Sequence, residues 1–325
     1  NRVIAKISRK EVARRFMEPA PQDMLDQLLQ DGKITAEQAQ LALLVPLADD
    51  ITVEADSGGH TDNRPLVGLV PTMLALRNEI QAQRKYAQEV RIGAGGGIGT
   101  PAAALAAFMM GAAYIVTGSV NQACVEAGAS AHTRKLLADA DMADVIMAPA
   151  ADMFEMGVRV QVLKRGTMFA MRASRLYDLY TRYDCVEDIP AADRAKIEKT
   201  IFKRDLDEVW AETQQFFEAR DPQNLEHAMR DAHHKMALIF RWYLGLSSRW
   251  SVVGEVGREM DYQIWCGPAM GTFNEWVRGT YLEAVENRKV VDVILQILTG
   301  AAYLARLRTL NLQGVQFPAA LEMYY

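Results

Sequence analysis

Two glycine-rich loops are the segments of this sequence best suited to bind a phosphate group. The first is Gly95–Thr100, with glycine at 95, 96, 97 and 99, and a helix is predicted to begin directly after it. The second, Gly118-Ser119, follows about one strand and one helix later. Amides at glycine approach an anion closely because no Cβ intervenes, and a helix N-terminus adds favourable charge. A tight turn also selects glycine, so the pair of loops carries more weight than either one.

The candidate acid or base is His60. It lies in a polar segment that follows the apolar run Ile51–Ala55, and Gly58 and Gly59 precede it. Active sites of parallel barrels are built at the carboxyl ends of the strands, and histidine is the usual side chain for proton transfer near neutral pH. A histidine in a polar loop can also be simply solvated, and only its place on the expected catalytic rim favours a functional role.

Two carboxylates, Glu54 and Asp56, share one face of the preceding strand because side chains alternate along it. They either orient His60 or bind a hydroxyl group, or they pair with a lysine such as Lys6 on the first predicted strand. A lysine that points into a parallel barrel is costly unless it is paired or lies beside an anionic cofactor. Both interpretations stay open at this point.

The remaining histidines show no metal-ligand spacing, and we interpret them as helix-surface residues: His132, His227, His233 and His234. A metal site is therefore not expected. Residues 158–177 hold five basic side chains and no acidic one, namely Arg159, Lys164, Arg165, Arg172 and Arg175. Such a stretch is either a solvated face or a surface for an acidic carrier or a cofactor phosphate.

The elements that position these residues alternate in the first half of the chain. Four short apolar runs predict strands, at 3–7, 51–55, 90–94 and 114–117, and amphipathic segments between them predict helices. Thr35 with Gln38 forms a capping-box signature, and Thr100 with Pro101 marks another helix start. Strand signals stop after about Met168, where helical spacing takes over. The pattern predicts a parallel sheet with outer helices, followed by a helical part.

Length and composition set the broader limits. The chain has 325 residues, of which 50% are hydrophobic and 24% charged, and these values are typical of globular proteins. A net charge of −5 gives no global reason to expect nucleic acid. Three scattered cysteines favour a cytoplasmic location. Residues 92–125 carry no charge, but the glycines and Pro101 in this stretch favour a buried strand and helix over a membrane span.

With these residues in view, the sequence resembles the PfaD-type, trans-acting, FMN-dependent enoyl reductases of polyketide and polyunsaturated fatty acid synthases. These enzymes are similar to nitronate monooxygenase barrels and to bacterial flavin enoyl reductase barrels. The resemblance rests on the stretches ADDITVEADSGGHTDNRP, GAGGGIGTPAAALAAFMMGAAYIVTGSVNQACVEAGAS, APAADMFEMGVRVQVLKRG, HKMALIFRWYLGLSSRW and GREMDYQIWCGPAMGTFNEW.

The resemblance implies an FMN-binding (β/α)8 TIM barrel followed by an α-helical domain. By residue-to-residue transfer, Gly96, Gly97, Gly118 and Ser119 hold the FMN phosphate. Gly58 and Gly59 pass beside the cofactor, and His60 is the catalytic acid or base at the flavin. Lys6 would supply a charge near the flavin.

The implied activity is reduction of the α,β-double bond of an enoyl thioester on an acyl carrier protein, with NADPH as the reductant and FMN as the relay. Two alternatives stay open: a flavin monooxygenase that acts on nitronates, and a non-catalytic segment that interacts with a megasynthase. A homodimer is a further possibility.

Only the C-terminal four βα units of such a barrel are evident, within residues 1–170, and residues 171–325 form the expected helical domain. Half a barrel leaves strand edges and an apolar face open. We therefore expect the other four strands to come from a portion that precedes residue 1, or from another chain.

Overall fold

The computed structural model describes residues 2–321 and residue 324. Within them the strands β1 to β7 are Ile4–Ile7, Asp50–Glu54, Gly59–His60, Arg91–Gly95, Ile115–Val116, Val145–Pro149 and Arg159–Leu163. The helices α1 to α14 are Lys10–Met17, Gln22–Gln30, Ala36–Ala42, Leu66–Arg84, Pro101–Met109, Ser119–Gln122, Ala131–Ala138, Phe169–Arg182, Ala191–Ile197, Leu206–Arg220, Pro222–Arg230, Ala232–Val253, Ala269–Trp276 and Val290–Leu312. A π-helical turn at Glu198–Phe202 continues α9.

Two compact units make up the chain. The sheet unit comprises Asn1–Ser57, Thr61–Val125 and Gly267–Tyr325, and the helical unit comprises Gly58–His60 and Glu126–Cys266. This division does not follow the boundary expected at residue 170. Helix α14 lies near the end of the chain but packs against α5 of the sheet unit. The apolar surface of α5 requires a cover, and a distant segment supplies it.

The sheet unit contains the four predicted parallel strands, in the order β1-β2-β4-β5. The strands pair in register, with Ile4 opposite Asp50, Asp50 opposite Arg91 and Ala94 opposite Ile115. Side chains on both faces of β2 are buried, as expected for a strand inside a parallel sheet covered by helices. The prediction of a parallel sheet with alternating helices is therefore confirmed for this unit.

Local sequence signals account for several helix ends in this unit. The Thr35 side chain accepts from the Gln38 amide, and the Gln38 side chain accepts from the Thr35 amide, so the predicted capping box is present. Thr100 accepts from the Ala103 amide and Pro101 is the first residue of α5. These caps satisfy amides that a helix leaves without a partner, and they fix where each helix begins.

Among the residues that the structure describes, one helix, α14, has the length and composition of a membrane span, with a mean hydropathy of 1.6 over its most apolar window. Core helices pass the same test, so a single such helix is weak evidence for a membrane. In the sheet unit α14 lies against α5, and a Cβ at Gly300 would come within 2.6 Å of Pro101 Cγ. The small residue at 300 therefore lets the two helices approach closely.

The helical unit contains an antiparallel sheet, in the order β3-β7-β6, that the sequence did not predict. Strand β3 has only two residues, which is too short for a sequence pattern, whereas β7 alternates polar and apolar residues from Arg159 to Val162, a strand signal that the prediction overlooked. Helical spacing was predicted for this part of the chain, and α12 carries an apolar stripe at positions i, i+3, i+4, i+7 and i+8 that lies in the core. Its residues are at most 2% exposed: Met236, Ile239, Phe240, Tyr243 and Leu244.

A buried carboxylate, Asp261, links several elements of the helical unit. It is fully buried, forms ion pairs with Arg172, Arg258 and Lys203, and accepts from the Tyr243 hydroxyl at 2.9 Å. Burial and this carboxylate together raise the pKa of Tyr243. A buried charge is tolerated only when such partners compensate it, so the cluster fixes how the helices around it pack.

Candidate functional site

The two glycine loops follow neighbouring strands of the parallel sheet. Strand β4 ends at Gly95, which pairs with Val116 at the end of β5. The carboxyl ends of parallel neighbours lie at the same edge of a sheet, so both loops leave the sheet on that edge. The sequence predicted this arrangement, and the structure of the sheet unit confirms it.

At the first loop the backbone requires glycine. Gly96 has φ +84°, and a Cβ there would lie 2.7 Å from the carbonyl carbon and oxygen of Ala55. Gly97 has φ +71°, is exposed, and a Cβ there would meet no atom within 4 Å. The chain is thus pressed against the end of β2 at Gly96 and opens into free space at Gly97. The backbone at Gly97 is therefore accessible to an anion.

The two residues of the second loop, Gly118 and Ser119, have different roles. A Cβ at Gly118 would also meet nothing within 4 Å. Ser119 is buried, and its hydroxyl accepts from the Gly267 amide at 2.9 Å. The Ser119 hydroxyl therefore holds the segment that leads into α13. Gly118 presents open backbone, as Gly97 does.

Lys6 and Glu54 form an ion pair in the sheet unit, with Nζ 2.7 Å from Oε1. The Lys6 side chain is 61% exposed and that of Glu54 is 15% exposed. Glu54 also accepts from the Ser57 hydroxyl at 2.9 Å, whereas Asp56 accepts from the Asn63 side chain. Of the two interpretations of Glu54, pairing with Lys6 is the one that the structure confirms.

The polar segment after His60 is anchored to the end of β1. Asp62 accepts from the Ser8 hydroxyl at 2.6 Å and from two nitrogens of Arg9 at 3.0 and 3.1 Å. These hydrogen bonds hold the pKa of Asp62 at about 2. The Thr61 hydroxyl also donates to the Ala55 carbonyl. The Arg64 carbonyl accepts from the Asp56 amide at 3.0 Å, so the segment 61–64 is fixed at both ends.

His60 belongs to the helical unit, where it pairs with Val160 in the antiparallel sheet. Its Nε2 lies 3.2 Å from Asp152 Oδ1, and the Trp265 ring meets it edge-on with centroids 5.8 Å apart. The imidazole is 34% exposed. It is therefore held on two sides and remains accessible.

Gly58 and Gly59 are required by the packing of the same unit. A Cβ at Gly58 would lie 2.7 Å from the Cys266 amide nitrogen, and one at Gly59 would lie 2.8 Å from the Trp265 ring. Gly59 also has φ +81°. Close packing against Cys266 and Trp265 is therefore sufficient to explain why glycine occupies both positions. Their predicted approach to a cofactor stays a prediction.

Two residues next to His60 were not found from the sequence. Asp152 lies 92 residues further along the chain and shows no local signal except its place in the stretch APAADMFEMG. Trp265 belongs to a group of tryptophans whose concentration is typical of a packed core. Its side chain is instead 43% exposed beside the imidazole.

The prediction that the other histidines lie on helix surfaces is wrong for His234. This residue is 9% exposed, with Nδ1 2.5 Å from Glu155 and Nε2 2.6 Å from the Asn224 side chain. It is buried because α11 packs against the start of α12. Over residues 2–321 and 324, no cluster of three or more His, Cys, Asp or Glu side chains is arranged to hold a metal ion.

Ion pairs account for most of the basic stretch 158–177. Three of its five basic side chains pair with acids of the helical unit: Arg165 with Asp144, Arg172 with Asp261 and Arg175 with Asp193. Arg159 and Lys164 are exposed. Arg165 also keeps 55% of its side chain exposed despite its ion pair, so Arg159, Lys164 and Arg165 still fit the docking hypothesis, whereas Arg172 is held by the buried Asp261.

Comparison with known proteins identifies the family. The chain is 39% identical to the enoyl reductase domain of MlnA from the macrolactin biosynthesis cluster of Bacillus amyloliquefaciens, with a TM-score of 0.90. The match covers 95% of this chain and 69% of that one. This chain belongs to the PfaD-type enoyl reductase family.

Two further relatives are longer than this chain. One of the polyunsaturated fatty acid synthase subunits of Thraustochytrium sp. is 53% identical over 318 residues, which cover 96% of this chain and 21% of that protein. The polyketide biosynthesis protein PksE of Bacillus subtilis is 47% identical over 304 residues, which cover 94% of this chain and 39% of PksE. The chain therefore spans about a fifth of the first relative and about two fifths of the second.

A further similarity lies within the helical unit of this PfaD-type chain. Residues 183–262 match the model of the inserted helical domain of [acyl-carrier-protein] S-malonyltransferase. The matched segment ends just beyond the buried Asp261. It includes the apolar stripe of α12.

We expect Gly96→Ala to lower the free energy of unfolding more than Gly97→Ala does. Both variants place a side chain at positive φ, which costs about 1–2 kcal/mol. Only the methyl group added at position 96 would also collide with the Ala55 carbonyl. Urea unfolding of the two variants and the wild type measures the difference. Equal losses would show that the close approach at Gly96 is unimportant.

We also expect Asp62→Asn to destabilise the protein at neutral pH and to do so less in acid. A carboxyl whose pKa is lowered by folding stabilises the fold above its unfolded pKa of about 3.9, and this stabilisation disappears as the pH falls towards about 2. Urea midpoints of wild type and variant between neutral and acidic pH measure the effect. Arg9→Ala should remove part of the same pH-dependent difference, and a difference that is constant with pH would contradict this account.

Proposed function

We propose that this chain is part of a flavin-dependent enoyl reductase that acts on acyl chains carried by an acyl carrier protein. The similarity to the MlnA enoyl reductase domain is the observation that carries the proposal. The match of 183–262 to a helical domain of an acyl-carrier-protein transferase supports a carrier-bound substrate. We include a cytoplasmic location in the proposal on the basis of the three scattered cysteines.

The residues of the sheet unit fit an FMN phosphate. Gly97 and Gly118 leave open space where a Cβ would stand, and their loops leave the same sheet edge. Paired loops after consecutive strands form the phosphate site of many (β/α)8 barrels, and the four parallel strands in sequence order agree with half of one. We assign Gly96, Gly97, Gly118 and Ser119 to the phosphate. We assign Lys6 a more remote electrostatic role, because Glu54 already pairs with it.

The proposed reaction converts the carbon–carbon double bond of an enoyl thioester into a single bond. A hydride that originates from NADPH adds at the β-carbon and a proton adds at the α-carbon, which leaves NADP⁺ and the saturated thioester. Bound FMN supplies the two-electron relay between the nicotinamide and the substrate. His60 holds the proton for the α-carbon.

The assay of this proposal uses a purified protein that contains this chain, NADPH and a crotonyl thioester of an acyl carrier protein. We expect a yellow protein that oxidises NADPH in equal amount to the saturated thioester, measured by absorbance and by mass spectrometry. A yellow protein that leaves both reagents unchanged would overturn the proposal. A colourless protein would favour a non-catalytic interaction segment, and oxygen uptake with an alkyl nitronate but no NADPH would favour a monooxygenase.

We further expect His60→Ala to lower turnover by about 10²–10⁴-fold, the range of a lost general acid or base, while flavin stays bound. The matched control is His132→Ala, because His132 is exposed in the same unit and its ring packs edge-to-face with that of Tyr262. Turnover and visible absorbance are measured on the same samples. Full turnover of His60→Ala would refute the acid role, and loss of flavin would indicate a structural one.

A further inference from the structure

Asp152 is the hydrogen-bonding side chain that meets the His60 imidazole within the helical unit. We propose that Asp152 positions His60 by accepting from Nε2–H, so that Nδ1 is the nitrogen that gives the proton to the substrate. This inference rests on the proposed role of His60 as the acid. Asp152 is a positioning residue in this scheme, because it acts through His60 and not on the substrate.

The chemistry of the two groups sets the tautomer. A carboxylate has no hydrogen to donate, so a hydrogen bond of 3.2 Å between Nε2 and Asp152 Oδ1 requires the hydrogen on Nε2. In the neutral ring the lone pair then lies on Nδ1. A proton taken up for the reaction binds at Nδ1 and leaves from Nδ1, while the Nε2 hydrogen stays in place throughout.

The strand register brings the two residues together. Val160 of β7 pairs with His60 on one side and with Ala148 of β6 on the other. Asp152 lies in the connection that leaves β6, which is closed by a hydrogen bond from the Ala150 amide to the Val158 carbonyl. The same short antiparallel sheet therefore places both side chains.

The connection that carries Asp152 is anchored in the core of the helical unit. Phe154 is 1% exposed and contacts Tyr177, Tyr180 and Phe240, with ring centroids 5.1 to 6.4 Å apart. Glu155 is 2.5 Å from the buried His234. These contacts hold the backbone on the C-terminal side of Asp152, so its carboxylate offers His60 a fixed acceptor.

For the pair of His60 and Asp152, the orientation of the imidazole matters more than the electrostatic attraction between the two side chains. The Asp152 side chain is 61% exposed and that of His60 is 34% exposed, so water screens their electrostatic attraction. An acceptor atom in the same place is therefore the important feature. Asparagine at 152 can still present an oxygen to Nε2–H, whereas alanine cannot.

The first test is independent of turnover. Nitrogen NMR of protein labelled at histidine, with His60 assigned by its loss in His60→Gln, reports which ring nitrogen carries the hydrogen. We expect the Nε2–H tautomer in the wild type and in Asp152→Asn, and a mixture of tautomers in Asp152→Ala. The control Asp139→Ala, an exposed acid of the same unit that pairs with Lys135, should match the wild type. An unchanged tautomer in Asp152→Ala would overturn the proposal.

The second test is kinetic. We expect Asp152→Ala to lower kcat about tenfold with little change in KM, because a misoriented ring affects the proton transfer and not substrate binding. Asp152→Asn should recover most of the loss. Equal losses in Asn and Ala would overturn the orientation role in favour of a charge role.

The two tests also separate this inference from the proposed function. If His60→Ala retains full turnover, the acid assignment fails, and the Asp152→Ala tautomer still decides whether Asp152 sets the ring. If His60→Ala is inactive but Asp152→Ala has normal turnover and a normal tautomer, only the positioning role is overturned.

Discussion

Parallel pairing of β4 with its neighbours β2 and β5 is the constraint on which the candidate phosphate site depends. It brings the carboxyl ends of β4 and β5 to one edge, and it presses the first residue after β4 against the end of β2. The distance between Gly96 and the Ala55 carbonyl leaves no room for a Cβ on residue 96. The uncovered backbone at Gly97 and Gly118 is thus a consequence of strand pairing as much as of glycine content.

The helical unit is organised by a different kind of interaction. Its fully buried carboxylate, Asp261, forms ion pairs with three cations and accepts a hydrogen bond from a tyrosine hydroxyl. These partners come from separate segments of the chain. Removal of Asp261 would leave the largely buried Arg172 and Arg258 without their carboxylate partner, which is far more costly than loss of an exposed pair. The cluster belongs to the same unit as His60.

Family membership and local geometry support one another without replacing one another. The enoyl reductase domain of MlnA shows which family the chain belongs to. The structure adds residue-level reasons: Gly58 and Gly59 are required by Cys266 and Trp265, and Ser119 holds Gly267. A family comparison alone would assign these positions to a ligand. In this protein they also pack against, or hydrogen-bond to, other segments of the chain.

The sequence by itself determined the features that depend on neighbouring residues. Strand and helix starts such as Thr100-Pro101, the glycine loops and the four parallel strands follow from short patterns, because backbone geometry and capping are local. Only the tertiary structure decided that Asp152 and Trp265 meet His60, that Lys6 pairs with Glu54, and that α14 covers α5. These contacts join residues far apart in the chain, and packing of whole elements selects them, so no short pattern encodes them.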